Sequence, residues 1–190
     1  MSTLLKLKVR EFDEMVASGA FDALEHRHIE LIHGELRETS PFGPHHGILV
    51  AWLTRWSFTY TKKETWIWVG LSVGIPKFDS VPQPDLAWIR SGITRQQHPQ
   101  PADVMLLIEV SHSSLSYDLG EKKELYAQAG IQEYWVVDIE AEAVHVFRNP
   151  SGNQYAQSVT VGPGETIAPQ VEPMAVLDVA KLFRAGSRSE

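Results

Sequence analysis

The run Val104–Val110, with the sequence VMLLIEV, is the feature that most limits how this chain can fold. It is apolar except for Glu109. A strand with one wet face alternates apolar and polar residues, whereas an unbroken apolar run is typical of a strand that is covered on both faces. We therefore predict a central sheet with helices packed against it, and this run as an inner strand.

Periodicity along the rest of the chain predicts a mixed order of helices and strands. Helices are expected at residues 9–16, 46–60 and 119–129, and strands at 28–32, 36–39, 66–75, 86–89, 134–138, 143–147 and 155–161. This order predicts an α/β fold. No internal repeat is present, so residues 1–190 are expected to form one domain, with a core at about 9–148 and a peripheral C-terminal segment at 149–190.

Composition excludes several kinds of site. The chain has no cysteine, so disulfides, thiolate zinc sites and cysteine nucleophiles are ruled out, which fits a reducing compartment. No apolar stretch reaches the ~20 residues that a membrane span needs, and we expect a cytoplasmic protein with no membrane partner. With 17 Lys+Arg against 24 Asp+Glu, the net charge of −7 argues against a broad non-specific coat for nucleic acid.

Two acidic residues and one lysine are the candidates for chemistry. Glu109 closes an apolar run, and a carboxylate there is costly to bury unless it is paired or bound to a metal. Asp85 follows Pro84, where it either takes part in a site or simply caps a turn. At about 100° per residue, Lys122 falls near the centre of the apolar arc of its predicted helix, and Lys123 falls at the edge. Lys122 therefore either meets a carboxylate cluster or pairs with Asp118, four residues earlier.

Four segments resemble a known family: IELIHGELRETSPFGPHHGIL, VPQPDLAWI, LLIEVSHSSLSYDLGEKKELYAQAGIQEYWVVD and EAVHVF. Together they are similar to the Uma-type family of restriction endonuclease-like nucleases of the PD-(D/E)XK superfamily. The resemblance runs from about Phe12 to Phe147, and more loosely to Phe183. It implies a restriction endonuclease-like core, in which a mixed central sheet is flanked by helices.

The resemblance also implies an active site. Asp85 and Glu109 would be its acidic residues and Glu35 an additional acid, unless Glu35 is a solvated strand carboxylate. The superfamily lysine usually stands two residues after the second acid, where this chain has Ser111, and the family pattern moves it to the position of Lys122. His46 also matches the pattern, and either touches substrate or caps a helix.

This set of residues suits metal-dependent hydrolysis of phosphodiester bonds. Asp85 and Glu109 would bind Mg²⁺, for which Mn²⁺ is a substitute. Lys122 would orient or help deprotonate the attacking water and would stabilise the charge that develops on the phosphate. We expect nucleic acid as the partner, with DNA ahead of RNA, and leave a homodimer open. Without metal, the acids would repel one another, so at least one of Glu35, Asp85 and Glu109 should have a raised pKa.

Two other functions stay open. A degenerate member of the same fold would bind nucleic acid or a protein without cutting, and Ser111 in the usual lysine position favours it. A metal-dependent hydrolase of small substrates is suggested by the eight histidines, but adjacent His45 and His46 diverge on a helix and form no ligand pair.

Overall fold

The computed structural model describes residues 3–24, 27–39, 43–94 and 97–185. The helices are α1 (Val9–Ala17), α2 (Pro44–Tyr60), α3 (Leu115–Tyr117), α4 (Lys123–Ala129) and α5 (Val179–Phe183), with 3₁₀ turns at Pro76–Phe78 and Pro101–Asp103 and a π-helical turn at Asp118–Lys122. The strands are β1 (His28–Ile32), β2 (Glu35–Thr39), β3 (Trp66–Val69), β4 (Leu86–Ile89), β5 (Val104–Ser111), β6 (Glu133–Asp138), β7 (Ala143–Ser151), β8 (Gln154–Val161), β9 (Thr166–Ile167) and β10 (Leu177–Asp178).

The central sheet has six strands in the order β3-β4-β5-β6-β7-β8. Neighbours run antiparallel except β5 and β6, which are parallel because the helical segment from α3 to α4 carries the chain back between them. The predicted α/β fold with a mixed central sheet is confirmed, and β5 is an inner strand. None of the described helices is long and apolar enough to cross a membrane.

Both faces of β5 are covered, which explains its apolar sequence. Leu106, Ile108 and Val110 enter a core shared with α2 and α5, whereas Leu107 enters a second core with α4. Because side chains alternate along a strand, Glu109 shares the face of Leu107 and lies under the helical segment. The sequence pattern thus fixes the side of the sheet on which this carboxylate is buried.

The β1–β2 hairpin packs beside the central sheet. Its turn has positive φ at both His33 (52°) and Gly34 (79°), as a type I′ turn requires. A Cβ at Gly34 would lie 2.8 Å from the Cβ of Lys6, so the position also needs glycine for space. The amide of Val81 donates to the carbonyl of Leu31 at 2.7 Å, which ties the hairpin to the segment that leads into β4.

The C-terminal segment is joined to the sheet in two ways. Strand β8 pairs with β7 along its length, and Val179, Leu182 and Phe183 of α5 are buried in the core under α2. The chain between β9 and β10 is held by Glu133, which is 1% exposed and accepts hydrogen bonds from Arg148 and from the amide of Gln170. We therefore propose that the C-terminal segment folds together with the rest of the chain.

The bounds of β3 and of the helical segment differ from their predictions by four residues or more, and β7 extends to Ser151 instead of residue 147. β3 ends at Val69 because Gly70, with φ of 57°, turns the chain away from the sheet, whereas the sequence predicted a strand to residue 75. The helical segment begins at Leu115 instead of residue 119, and it contains the π-helical turn. It ends, as predicted, at Gly130, which has φ of 82°.

Truncating a C-terminal core residue tests whether the chain unfolds as one domain. Leu182→Ala removes a fully buried side chain of α5, and we expect it to lower the free energy of unfolding by about 2–5 kcal/mol. Urea unfolding followed by circular dichroism and by tryptophan fluorescence should give one shared transition. Leu5→Ala, at a residue 84% exposed, is the matched control and should change stability by less than about 0.5 kcal/mol. Two separate transitions would contradict the single domain.

Candidate active site

Asp85, which precedes β4, and Glu109 of the neighbouring strand β5 lie side by side at one cavity of about 530 Å³. Leu86 pairs with Ile108, so the antiparallel register sets Asp85, just before β4, opposite Glu109 in β5. The amide of Val110 donates to Asp85 Oδ2 at 2.7 Å, and the amide of Asp85 donates to Glu109 Oε2 at 3.3 Å. Each carboxylate is thus held by the backbone of the strand that carries the other.

Lys122 brings a cation to this pair from the helical segment. Its Nζ lies 3.0 Å from Glu109 Oε1, 3.0 Å from Glu30 Oε1 and 3.9 Å from Asp118 Oδ1. Lys123 points elsewhere, with its Nζ 5.3 Å from the centre of the Phe147 ring. The helical phase therefore predicted which lysine is buried, and the predicted alternatives coexist, because Lys122 approaches both Asp118 and the acidic cluster.

Glu30 is the acidic residue that the sequence reasoning missed. It is 1% exposed, and its Oε1 accepts hydrogen bonds from Lys122 and, at 2.7 Å, from the amide of Gln83. Gln83 stands two residues before Asp85, so Glu30 helps to fix the segment that carries Asp85. The argument used for Glu109 applies to it equally, since Glu30 sits in the apolar run Ile29–Ile32 and is costly to bury alone.

Glu35 is not brought into this cluster. It is opposite Ile32 at the turn end of the hairpin, where it is partly exposed and pairs with Arg37 at 2.9 Å and Lys6 at 3.6 Å. The expectation that Glu35 sits among the acids beside Asp85 is corrected by the hairpin register, which aligns Glu30 with Arg37, farther from the turn. Glu30 therefore takes the place that the sequence analysis gave to Glu35.

His46 contacts Asp85 directly. It is buried in the first turn of α2, and its Nε2 lies 3.1 Å from Asp85 Oδ1. Among the described residues, the N-cap of α2 is Gly43, which has no side chain to cap the helix. Of the two roles left open by the sequence, the structure therefore favours one at the acidic site over one as a helix cap.

Ser111 stands where a lysine is usual, and it connects the strand to the π-helical turn. Its hydroxyl donates to Asp118 Oδ2 at 2.7 Å, and the Ser114 hydroxyl donates to the same oxygen at 2.6 Å. Asp118 is buried and lies four residues before Lys122. This arrangement holds a further carboxylate between Ser111 of β5 and Lys122.

Burial and charge shift the pKa values of the central pair. Burial lowers the pKa of the Lys122 ammonium, but the surrounding carboxylates raise it by more, so that it ends well above its ordinary value. Burial raises the pKa of Glu109 well above its ordinary value; Lys122 opposes this rise, and the neighbouring acids add to it. The pKa of Glu109 is thus raised, as expected for one of the acids, but burial is a larger cause than repulsion among the acids.

The donor set fits a hard divalent cation. The carboxylates of Glu30, Glu109 and Asp118 lie within 4 Å of the Lys122 ammonium, and buried Asp85 lies beside Glu109. Within the described residues, Glu30 Oε2 is buried and has no hydrogen-bond partner. Over the described ranges, no three His, Asp or Glu side chains are already drawn together as a metal site. Mg²⁺, however, is usually held by one or two carboxylates, with water and substrate phosphate as its other ligands. Asp85 and Glu109 would supply these two carboxylates.

Comparisons with known proteins identify the family and the fold of this chain. The model of the Uma2 family, described as "Putative restriction endonuclease", matches residues 12–180. A crystal structure of a putative nuclease belonging to DUF820 from Anabaena variabilis has a TM-score of 0.72 and 14% sequence identity, with 93% of this chain and 97% of that chain covered. This likeness shows a shared fold. No curated protein matches the sequence.

The raised pKa of Glu109 predicts how stability depends on pH. Native Glu109 keeps its proton to higher pH than the unfolded chain does. Above the ordinary pKa of about 4.5, the free energy of unfolding should therefore fall as pH rises towards the raised pKa. Glu109→Gln should reduce that slope by up to about 1.4 kcal/mol per pH unit, measured by urea unfolding in EDTA. Glu124→Gln, at an exposed position of α4, is the control. Equal slopes for wild type and Glu109→Gln would contradict the assignment.

Proposed function

Because the chain belongs to the Uma2 family, described as putative restriction endonucleases, we propose that it is an endonuclease that hydrolyses phosphodiester bonds of DNA with the help of Mg²⁺. The observation that carries the proposal is the buried cluster of Asp85, Glu109 and Lys122 at a single cavity. Two carboxylates that can hold a cation and an ammonium that can meet a phosphate are what this hydrolysis requires.

The two strand carboxylates would hold the metal. Asp85 Oδ1 and Glu109 Oε2 belong to side chains that line the cavity, while backbone amides fix their orientation. When bound, Mg²⁺ supplies a Lewis acid that polarises the phosphate and lowers the pKa of water. Burying two such carboxylates side by side is costly, and bound Mg²⁺ would offset part of that cost in addition to Lys122.

Lys122 would act on the phosphate as a charge. Because its pKa is raised, the side chain stays an ammonium at neutral pH and is unsuited to removing a proton from water. An ammonium held in place stabilises negative charge as it develops on the phosphate oxygens. The hydroxyl of Tyr126 donates to Glu109 Oε1 at 3.0 Å, and Lys122 donates to the same oxygen. Two hydrogen bonds therefore hold this carboxylate in place.

A second candidate is a relative of the nucleases that binds nucleic acid without cutting. The observation that favours it is that the Lys122 ammonium is already engaged by Glu30 and Glu109, while Ser111 occupies the usual lysine position. In such a protein the ion cluster would serve only to hold hairpin, sheet and helix together. Mn²⁺ as a substitute metal, the homodimer and the cytoplasmic location stay predictions.

A cleavage assay separates the two candidates. Supercoiled plasmid and fluorescent linear duplex are incubated with wild type in Mg²⁺, Mn²⁺ or EDTA, and we expect cleavage only with metal. Lys122→Gln should lower the rate by about 10²–10³-fold, the usual effect of losing one transition-state donor. Lys123→Gln is the matched control, since that lysine lies over Phe147, and it should cleave at a rate close to wild type.

The outcomes of this assay are distinct. Lys122→Gln leaves Glu30 and Glu109 without their cation, so its melting temperature is compared first, and Asp85→Asn is a second variant that should also lose cleavage. Cleavage in EDTA, or full activity of Asp85→Asn, would refute the metal-dependent mechanism. No cleavage by wild type with either metal would favour the relative that binds without cutting.

Metal binding can be measured without activity. A cation bound only by the native state adds stability according to the ratio of its concentration to its dissociation constant. We expect Mg²⁺ to raise the melting temperature of wild type and of Lys123→Gln, and to leave that of Asp85→Asn unchanged, with NaCl at equal ionic strength as the reference. An equal rise in Asp85→Asn would place the cation elsewhere.

A further inference from the structure

A second cavity, of about 820 Å³, lies between α2 and β3 and adjoins the catalytic cavity. The two cavities share His46, Gly70 and Asp85 in their walls. A polymer that is hydrolysed at Asp85 extends beyond the site on either side of the bond that is cut. The second cavity offers a continuous path for one of these two arms, from the carboxylates onto the surface of α2. We call it the α2 groove.

One face of α2 forms the floor of the groove. Its residues Gly47, Ala51, Thr54, Arg55 and Phe58 follow one another at helical spacing, whereas Leu49, Leu53 and Trp56 point into the core. At 1.5 Å per residue, the stretch from Gly47 to Phe58 is roughly 16 Å long. The groove is therefore an extended track that begins beside the acidic site.

The chemistry of this track differs from that of the rest of the molecule. In a chain of net charge −7, α2 contains neither Asp nor Glu. The guanidinium of Arg55 is exposed, and it makes no hydrogen bond or ion pair with the part of the chain that the structure describes. One turn away, Phe58 is 66% exposed. A free cation and an exposed aromatic ring thus stand together in the groove.

We propose that the α2 groove binds a single-stranded segment of nucleic acid, with Phe58 stacked on an unpaired base and Arg55 paired with a phosphate. The proposal rests on the proposed nuclease function, for which it supplies the path of the substrate. An aromatic side chain can stack on the flat face of any base, but only where the base has left its own stack. Proteins that bind single strands combine positive charge along the backbone of the strand with exposed aromatic rings, and in the groove Arg55 and Phe58 supply one of each.

Binding of fluorescein-labelled oligonucleotides, followed by fluorescence anisotropy, tests this proposal. Single-stranded DNA, single-stranded RNA and the DNA duplex of one sequence are compared in EDTA and in Ca²⁺, and a single strand should bind more tightly than the duplex. The DNA and RNA arms show which of the two chemically similar strands is preferred. Phe58→Ala should weaken single-strand binding by about 5- to 150-fold, whereas Phe58→Trp should retain it.

Arg55 is tested by salt dependence. Arg55→Gln should reduce the slope of log K against log salt by about 0.7, the value for one phosphate contact with a single strand. Arg10→Gln on α1 and Val159→Ala on β8 are matched surface controls, and both should bind as wild type does. Melting temperatures of all variants show whether each is folded, and the second substitution at Phe58 separates loss of stacking from loss of structure.

The outcomes are separate from those of the cleavage assay. Loss of single-strand affinity in Phe58→Ala supports the groove even in a protein that does not cut. The proposal is overturned if Phe58→Ala and Arg55→Gln bind as wild type does, if both weaken duplex and single strand equally, or if wild type binds no strand in either buffer. Cleavage of DNA together with any of these three results would keep the proposed function and discard the groove.

Discussion

The buried ion cluster around Lys122 is the interaction on which the arrangement of this fold depends. Its ammonium joins three parts of the chain, because Glu30 comes from the β1–β2 hairpin, Glu109 from β5 and Lys122 itself from the helical segment. Burying these charges is costly, and the cost is recovered only when all partners are in place. The cluster therefore links hairpin, sheet and helix through charges whose partners come together only in this arrangement.

Much of the fold could be predicted, because β5 is unusually informative. An apolar run with one carboxylate indicates both an inner strand and a buried charge that needs a partner, and both features are present. The burial of Lys122 could be predicted from helical phase, because Lys122 shares a face with Leu125 and Tyr126 of α4. At these positions, the local spacing of apolar residues and the cost of burying a charge were sufficient to predict the structure.

The remaining part of the site depended on long-range register, which local patterns do not contain. Glu30 and Glu35 lie in the same hairpin, and the choice between them is made by how β1 and β2 align and by which end meets Lys122, 92 residues away along the chain from Glu30. The π-helical turn at Asp118–Lys122 is equally non-local, since it forms where Ser111 of the strand donates to Asp118. Such turns are frequent at functional sites.

The serine at position 111 explains in physical terms why the ammonium of the site comes from the helical segment and not from β5. Residue 111 is on the same face of β5 as Glu109, so a lysine there would contact the carboxylate that Lys122 contacts in this structure. The strand backbone would then determine the direction from which that lysine reaches Glu109. With serine instead, the strand donates a short hydrogen bond to Asp118, and Asp118 in turn lies 3.9 Å from Lys122. The ammonium is then positioned by a side chain of its own helical segment as well as by the acids it faces. Hence the π-helical turn and the strand together set the position of the ammonium in the cavity.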